Sequence, residues 1–276
     1  MKEKIDLHIH TTYSDGIYTP FQIVKKAKDA GIDTISITDH DSVNGIEGAI
    51  MFGNEIGVTV IPGLEISTDI EDQEVHILGY FIDHNSEELR KYLSFFRDER
   101  LERAKRMVKK LNKLNVDINL EEILERAKNS AVGRPHIATA LVEAGYCKSY
   151  YDAFARYIGD EGPAYERKIH VSPQSALKLI KDAGGLSFIA HPGKIKESIL
   201  QTLINFGVDG IEVIHPSHSG EDVKFYRGII DQYWLLESGG SDFHGGKKND
   251  DKNFGKFFIT PDKLDAMKKT LNLSIS

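Results

Sequence analysis

Ile5–Gly16 reads IDLHIHTTYSDG, and the alternation of its first six residues decides how the rest of the chain is read. In an extended chain successive side chains point to opposite faces, so Ile5, Leu7 and Ile9 share one face and Asp6, His8 and His10 the other. The stretch is therefore a strand with one apolar side and two imidazoles on the opposite side, and Asp15 follows in the loop beyond. One strand-end histidine is usually a hydrogen-bonded structural residue. The pair gains meaning only from what the other strand ends carry.

Working outward, Thr19-Pro20 with Gln22 supplies an N-cap, a proline at the first helical position and a capping-box partner. These predict a helix to about Ala30, stopped at Gly31. DTISITDHD is the next strand, followed by a helix from about Gly45 to Ile56, and VTVIPGLEIST and EVHILGYFI are two further strands. From about Asn85 the pattern turns helical and charged, with no strand signal until after Ile169, so 86–167 is expected to be a helical insertion. Ser172-Pro173 then starts a helix that ends at Gly184-Gly185. LSFIAHP, DGIEVIHP and YWLLESGGSD are strand-like, separated by helical stretches after Lys194 and Gly220, and GKFFIT precedes a last helix start at Thr260-Pro261. This alternation predicts an α/β fold with a parallel sheet, its seven or eight units forming a (β/α) barrel from 1–85 and 168–276. An open doubly wound sheet is the alternative, but no glycine-rich phosphate loop follows the first strand.

The 276 residues can bury a sizeable core without disulfides. A net charge of −7, from 42 acids against 35 bases, disfavours a large non-specific nucleic-acid surface. Cys147 is the only cysteine, MKEKIDLHIH lacks the apolar core of a secretory signal, and no apolar run reaches the roughly 18 residues of a membrane span. A cytoplasmic protein with no membrane partner is expected.

In a barrel of this kind catalytic residues come from the C-terminal ends of the strands. Here those ends carry His8 and His10, then Asp39, His40 and Asp41, then Glu65, His76, His191, His215 with His218, and Asp242 with His244. His84, His136 and His170 lie off the pattern, and Asp39 and Asp41 also suit turns and caps. A mouth crowded with buried carboxylates and imidazoles is costly without cations, and the density of ligands predicts more than one ion. With no thiolate among the ligands, Zn, Mn or Fe suits the mixed imidazole and carboxylate set. A carboxylate such as Glu65 can bridge two ions, and paired ions clamp the oxygens of an in-line displacement at phosphorus.

DLHIHTTYSDG, ITDHD, GLEIS, AHP and SDFHG, in this order, resemble the PHP (polymerase and histidinol phosphatase) phosphoesterases over about 1–83 and 170–260. The resemblance implies a distorted, TIM-like (β/α)7 barrel with an inserted helical subdomain and a centre of two to three divalent or trivalent metal ions. It implies His8, His10, Glu65 and Asp242 on one metal, and His76 and His191 on a second that Glu65 bridges. Asp15, His40 and His244 would hold the third, and some members have His where this chain has the harder ligand Asp15. GRPHIA at Gly133–Ala138 and HPSH at His215–His218 resemble the branch of 3',5'-nucleoside bisphosphate phosphatases, in which the insertion covers the barrel mouth. That branch implies Arg134 and His136 on a substrate phosphate, joined by Lys194, with His191 at the reacting centre. His215 or His218 would contact substrate and protonate the leaving oxygen, and the sequence does not choose between them.

The activity implied is hydrolysis of a nucleotide phosphomonoester by metal-bound hydroxide, with 5'-3' trimming of short oligoribonucleotides as a related activity. No protein partner is indicated. Histidinol-phosphate phosphatase shares the metal motifs and is the nearest rival. An amidohydrolase also starts with H-x-H but usually carries a bridging lysine on its fourth strand, where this chain has His76. A non-catalytic PHP scaffold would show degraded ligand positions, which are intact here.

Overall fold

A computed structural model describes residues 3–71, 73–127, 130–169, 171–193, 195–246 and 250–273; Lys194 and His170 lie outside them. The alternating stretch forms β1 (Ile5–Ile9), buried along its whole length. It is followed by α1 (Pro20–Asp29), β2 (Thr34–Ile37), α2 (Ile46–Ile56), β3 (Thr59–Ile70) and β4 (Gln73–Tyr80). After the insertion come α7 (Pro173–Asp182), β5 (Leu186–Ile189), α8 (Glu197–Asn205), β6 (Gly210–Ile214), α9 (Gly220–Tyr233), β7 (Leu236–Gly239) and α10 (Pro261–Thr270). The insertion supplies α3 (Glu87–Lys113), α4 (Leu120–Ala127), α5 (Arg134–Glu143) and α6 (Tyr150–Ala153), the last running into a π-helical turn at Phe154–Ile158.

The seven strands pair in chain order. β1, β2 and β3 are parallel, as are β5, β6 and β7, but β4 runs antiparallel to both of its neighbours. The expectation of a wholly parallel sheet is corrected at this point. Only Glu71 and Asp72 separate β3 from β4 in sequence, and a parallel neighbour needs a crossover of about a dozen residues. Among the described residues GKFFIT adds no eighth strand; it pairs there by a single antiparallel bridge between Ile259 and Ile5. The sheet curls so that β1 and β7 approach without a continuous ladder. The His10 N–H donates to the Phe243 carbonyl at 2.9 Å, and the Ser241 N–H to the Asp6 carboxylate at 2.9 Å. The result is a mixed α/β fold built on a curled seven-stranded sheet.

Local sequence explains the helices that cover it. Thr19 and Gln22 form the expected capping box, with the Thr19 N–H donating to Oε1 of Gln22 at 2.8 Å. α1 then buries Ile23, Val24 and Ala27 in a core with Ile9, Ile35, Ile37 and Phe243. A second core joins Ile5, Leu7, Tyr80 and Phe188 to Leu264 and Met267 of α10. Burying each such side chain contributes about 1.5–3 kcal/mol.

The chain divides into two units, Met1–Arg90 with Val171–Ser276, and Lys91–His170. The helical unit has a core of its own, in which Met107 and Leu111 pack with Ile123, Ile137, Leu141 and Ile158. Cys147 is a buried free thiol. No helix among the described residues is long and apolar enough to cross a membrane.

Candidate metal centre

His8 and His10 point from β1 to the same side, as their spacing requires, and both are fully buried. Their Nε2 atoms lie 3.1 Å apart. The loop that follows is tied down by Asp39, whose carboxylate accepts from the Thr11 N–H at 2.7 Å and from the hydroxyls of Thr11 and Ser14. Burial raises the Asp39 carboxyl to about 6. Asp39 therefore orders the loop carrying Asp15.

Glu65, on β3, is buried between two sets of imidazoles. Its Oε1 is 2.9 Å from His76 Nδ1 and 3.0 Å from His191 Nε2. Its Oε2 is 3.1 Å from His40 Nδ1, 3.3 Å from His10 Nε2 and 3.4 Å from His8 Nε2. Asp242, beyond β7, places Oδ1 3.1 Å from His10 Nε2 and 3.3 Å from His8 Nε2. His244 Nε2 is 3.1 Å from Asp15 Oδ1, with His40 Nε2 at 4.0 Å from the same oxygen.

Four groupings of ligand atoms result: His8, His10 and Asp242; His10, Asp15, His40 and His244; His8, Glu65 and His191; and His40, Glu65 and His76. A divalent ion with bonds of about 2.1 Å needs tetrahedral ligands about 3.4 Å apart, close to the spacings seen here. His40 Nδ1, buried beside Glu65 Oε2, has no hydrogen-bond partner among the described residues, a costly state unless its lone pair meets a cation. The donor set thus fits Zn, Mn or Fe. All nine residues named as ligands from the sequence lie in these groupings. His76 and His191 fall into separate groupings joined through Glu65, and His40 belongs to two of them.

Two hydrogen bonds orient ring nitrogens toward the centre. His8 Nδ1 lies 2.8 Å from Oε1 of Glu212. Burial alone would raise the Glu212 carboxyl, but His8, His215 and His191 hold it below the usual range. As an ionised carboxylate it only accepts, so the His8 proton sits on Nδ1 and Nε2 presents a lone pair to the centre. Likewise His244 Nδ1 donates to the Asp242 carbonyl at 2.8 Å, freeing Nε2 to face Asp15. Against the effect of burial, His40, His76 and His8 hold the Glu65 carboxyl well below its ordinary value. Burial would lower His76, but Glu65 raises it to about 10, whereas burial and neighbouring imidazoles lower His40 to about 3. Imidazoles so close together cannot all carry protons.

Backbone strain marks the same place. His191 has φ 24° and Asp242 φ 48°, in the left-handed region that costs an L-residue roughly 1–2 kcal/mol. The approach of β7 to β1 demands a glycine, because a Cβ on Gly240 would stand 2.4 Å from the His8 nitrogen. A cavity of about 370 Å³ adjoins His76 and His191, walled by Gln73, Glu74, Val75, Ala190, Pro192 and Ile195.

The remaining candidates separate. His215 is nearly buried, with Nε2 3.4 Å from Asp242 Oδ2 and Nδ1 2.7 Å from the Ser217 hydroxyl. His218 has both ring nitrogens engaged by backbone: Nδ1 lies 2.9 Å from the Val213 carbonyl and Nε2 accepts the Gly193 N–H at 3.1 Å. In the helical unit, Arg134 pairs with Asp160 at 2.7 Å and lies over the Phe154 ring at 5.4 Å. His136 Nδ1 accepts the Gly133 N–H at 3.2 Å and so caps α5. His84 pairs with Glu47 at 2.8 Å, away from the cluster.

Sequence reasoning missed Glu212, which also accepts the His191 N–H at 2.6 Å, and Asp250, which accepts the His244 N–H. The signal for Glu212 was available: an acid in the middle of the apolar strand GIEVI.

Comparison with known proteins matches the PHP domain over residues 6–160. The chain is 32% identical to a 3',5'-nucleoside bisphosphate phosphatase of Chromobacterium violaceum over 247 residues, 87% of each chain. It is 32% identical to a 5'-3' exoribonuclease of Escherichia coli over 87% of this chain and 84% of that one. Identity to a phosphoribosyl 1,2-cyclic phosphate 1,2-diphosphodiesterase of Eggerthella lenta is 30%, over 87% of this chain and 94% of that one. Among solved structures, a Bifidobacterium adolescentis protein assigned as a metal-dependent phosphoesterase superposes with TM-score 0.84 at 32% identity, covering 97% of this chain and 96% of its own. An amidohydrolase structure from Chromobacterium violaceum, with bound sulfate and no metal, gives 0.79 at 30% identity, covering 94% and 92%. The chain belongs to the PHP domain family of metal-dependent phosphoesterases.

Proposed function

We propose that this chain is a nucleotide phosphatase that converts a 3',5'-nucleoside bisphosphate to the 5'-monophosphate and phosphate, and that the same centre trims short oligoribonucleotides from the 5' end. The observation that carries this reading is Glu65, whose two oxygens face different sets of histidines within 3.4 Å. His8, His10, Glu65 and Asp242 would hold one ion; Glu65, His76 and His191 a second; Asp15, His40 and His244 a third. Bound Mn, Zn or Fe supplies Lewis acidity toward a phosphoryl oxygen and activates water near neutral pH.

The chain's own residues supply the rest. Glu212 and the Asp242 carbonyl set the tautomers of His8 and His244, so that Nε2 of each faces inward. Water attacks phosphorus, the bond to the ribose oxygen opposite it breaks, and that oxygen takes a proton. We assign that proton donor to His215 Nε2, which lies 3.4 Å from Asp242 Oδ2 and has no hydrogen-bond partner among the described residues. The cavity beside His76 and His191 has room for the organic part of the substrate, with the curled sheet serving as a distorted barrel around the centre. Arg134, His136 and Lys194 are assigned to substrate phosphate on their motifs alone. Arg134→Ala tests that role by raising KM for a bisphosphate more than for a monophosphate.

The deciding experiment measures, with the Mn-loaded protein, phosphate release from adenosine 3',5'-bisphosphate, AMP, histidinol phosphate and a phosphoribosyl 1,2-cyclic phosphate, and amine release from a small amide. The bisphosphate is expected to give the highest kcat/KM. A preference for histidinol phosphate or the cyclic ester would move the protein to that branch. Turnover of the amide alone would favour the amidohydrolase reading, which the similarity to the sulfate-bound structure keeps in the comparison.

A further inference from the structure

His218 stood beside His215 as a candidate proton donor, and the hydrogen bonds around it describe a different job. Its Nδ1 faces the Val213 carbonyl at 2.9 Å, an acceptor only, so the ring proton resides on Nδ1. Nε2 is then a lone pair, and it accepts the Gly193 N–H at 3.1 Å. The other end of Gly193 is held as well: the Tyr226 hydroxyl, buried on α9, donates to the Gly193 carbonyl. The rings of His218 and Tyr226 pack at 5.2 Å, so the two holders support each other.

What they hold is the turn that begins at His191. His191 has φ 24°, Gly193 has φ 52°, and the Ile195 N–H closes the turn on the Pro192 carbonyl at 2.9 Å. An L-residue does not keep such a conformation unless its surroundings impose it. Glu212 fixes the His191 N–H from one side. We propose that His218 and Tyr226 are positioning residues that grip the Gly193 peptide and thereby hold His191 in its strained, inward-facing conformation beside Glu65. His218 Nε2 donates no proton to the leaving oxygen.

This inference rests on reading His191 as a metal ligand, and the test separates the two. Mn binding to the metal-free protein is titrated for wild type, His218→Ala and Tyr226→Phe, with kcat and KM measured at saturating Mn. Both substitutions are expected to weaken one class of Mn site by about 10–100-fold, the usual effect of removing a partner that orients a ligand. At saturating Mn, kcat is expected to recover and KM to stay near wild type. Tyr226→Phe removes only a hydroxyl and keeps the test usable if His218→Ala misfolds. Nitrogen-15 NMR of the metal-free wild type should show His218 protonated on Nδ1. Unchanged Mn affinity in both variants, kcat lost at saturating Mn in His218→Ala, or a proton on Nε2 would each overturn the proposal. A wild type that binds no Mn overturns the ligand reading itself.

Discussion

The two units of the chain use charged side chains in opposite ways. In the helical unit they pair at the surface: Arg126 with Glu143 at 2.5 Å, Lys110 with Glu166 at 2.9 Å and Arg106 with Glu166 at 3.2 Å. Water competes for every one of these pairs, so each contributes about 0–1 kcal/mol and none constrains the chemistry. In the sheet unit the acids and imidazoles are buried, converge on one another, and leave lone pairs facing inward. Removing that many polar groups from water is a poor way to stabilise a fold, because desolvation offsets the attraction. Such a cluster is suited to holding cations, and its surroundings are strained, with His191 and Asp242 at positive φ.

The largest test of this contrast is Glu65→Gln. One oxygen of the carboxylate proposed to join two ions becomes a neutral NH2 donor, and phosphate release should fall by roughly three decades or more if that carboxylate is shared between ions. Metal analysis of the purified variant should show fewer ions per chain, and a full metal complement with wild-type activity would break the contrast. Next comes Glu212→Gln, which leaves every proposed ligand in place but offers His8 an amide in place of a charged acceptor. Metal affinity should drop about 10–100-fold, read by Mn titration. Gly240→Ala probes packing. A Cβ 2.4 Å from the His8 nitrogen forces β7 away from β1, and urea unfolding should show a loss of about 1–3 kcal/mol. The smallest effect belongs to the other unit: Arg126→Ala should cost less than about 1 kcal/mol and leave phosphate release unchanged. A larger loss of activity from Arg126→Ala than from Glu212→Gln would invert the comparison.

Much of the site could be read from local sequence because strand periodicity is short-ranged. His8 and His10 share a face for the same reason that Ile5 and Leu7 do, and the helix after them is announced by Thr19, Pro20 and Gln22. Strand direction was less legible. The hydrophobic pattern of EVHILGYFI is the same whichever way the strand runs, and only the short spacing to the preceding strand shows that β4 must turn back. GKFFIT has strand composition yet makes one bridge, since composition does not ensure a pairing partner.

The sequence by itself determined which residue types stand at the ends of the strands, and so the donor set of the cluster and the family to which the chain belongs. It did so because ligand identity and the period of two are properties of neighbouring residues. Only the tertiary structure decided how those residues divide the work. Glu212 reaches His8 across 204 positions of chain, and no local pattern encodes that distance. His215 and His218 are equivalent in HPSH; the Gly193 and Val213 backbone groups that occupy His218, and the lack of a hydrogen-bond partner for His215 Nε2 among the described residues, distinguish them. Hydrogen bonds are directional and act over about 3 Å, so a residue's role depends on which groups folding brings that close.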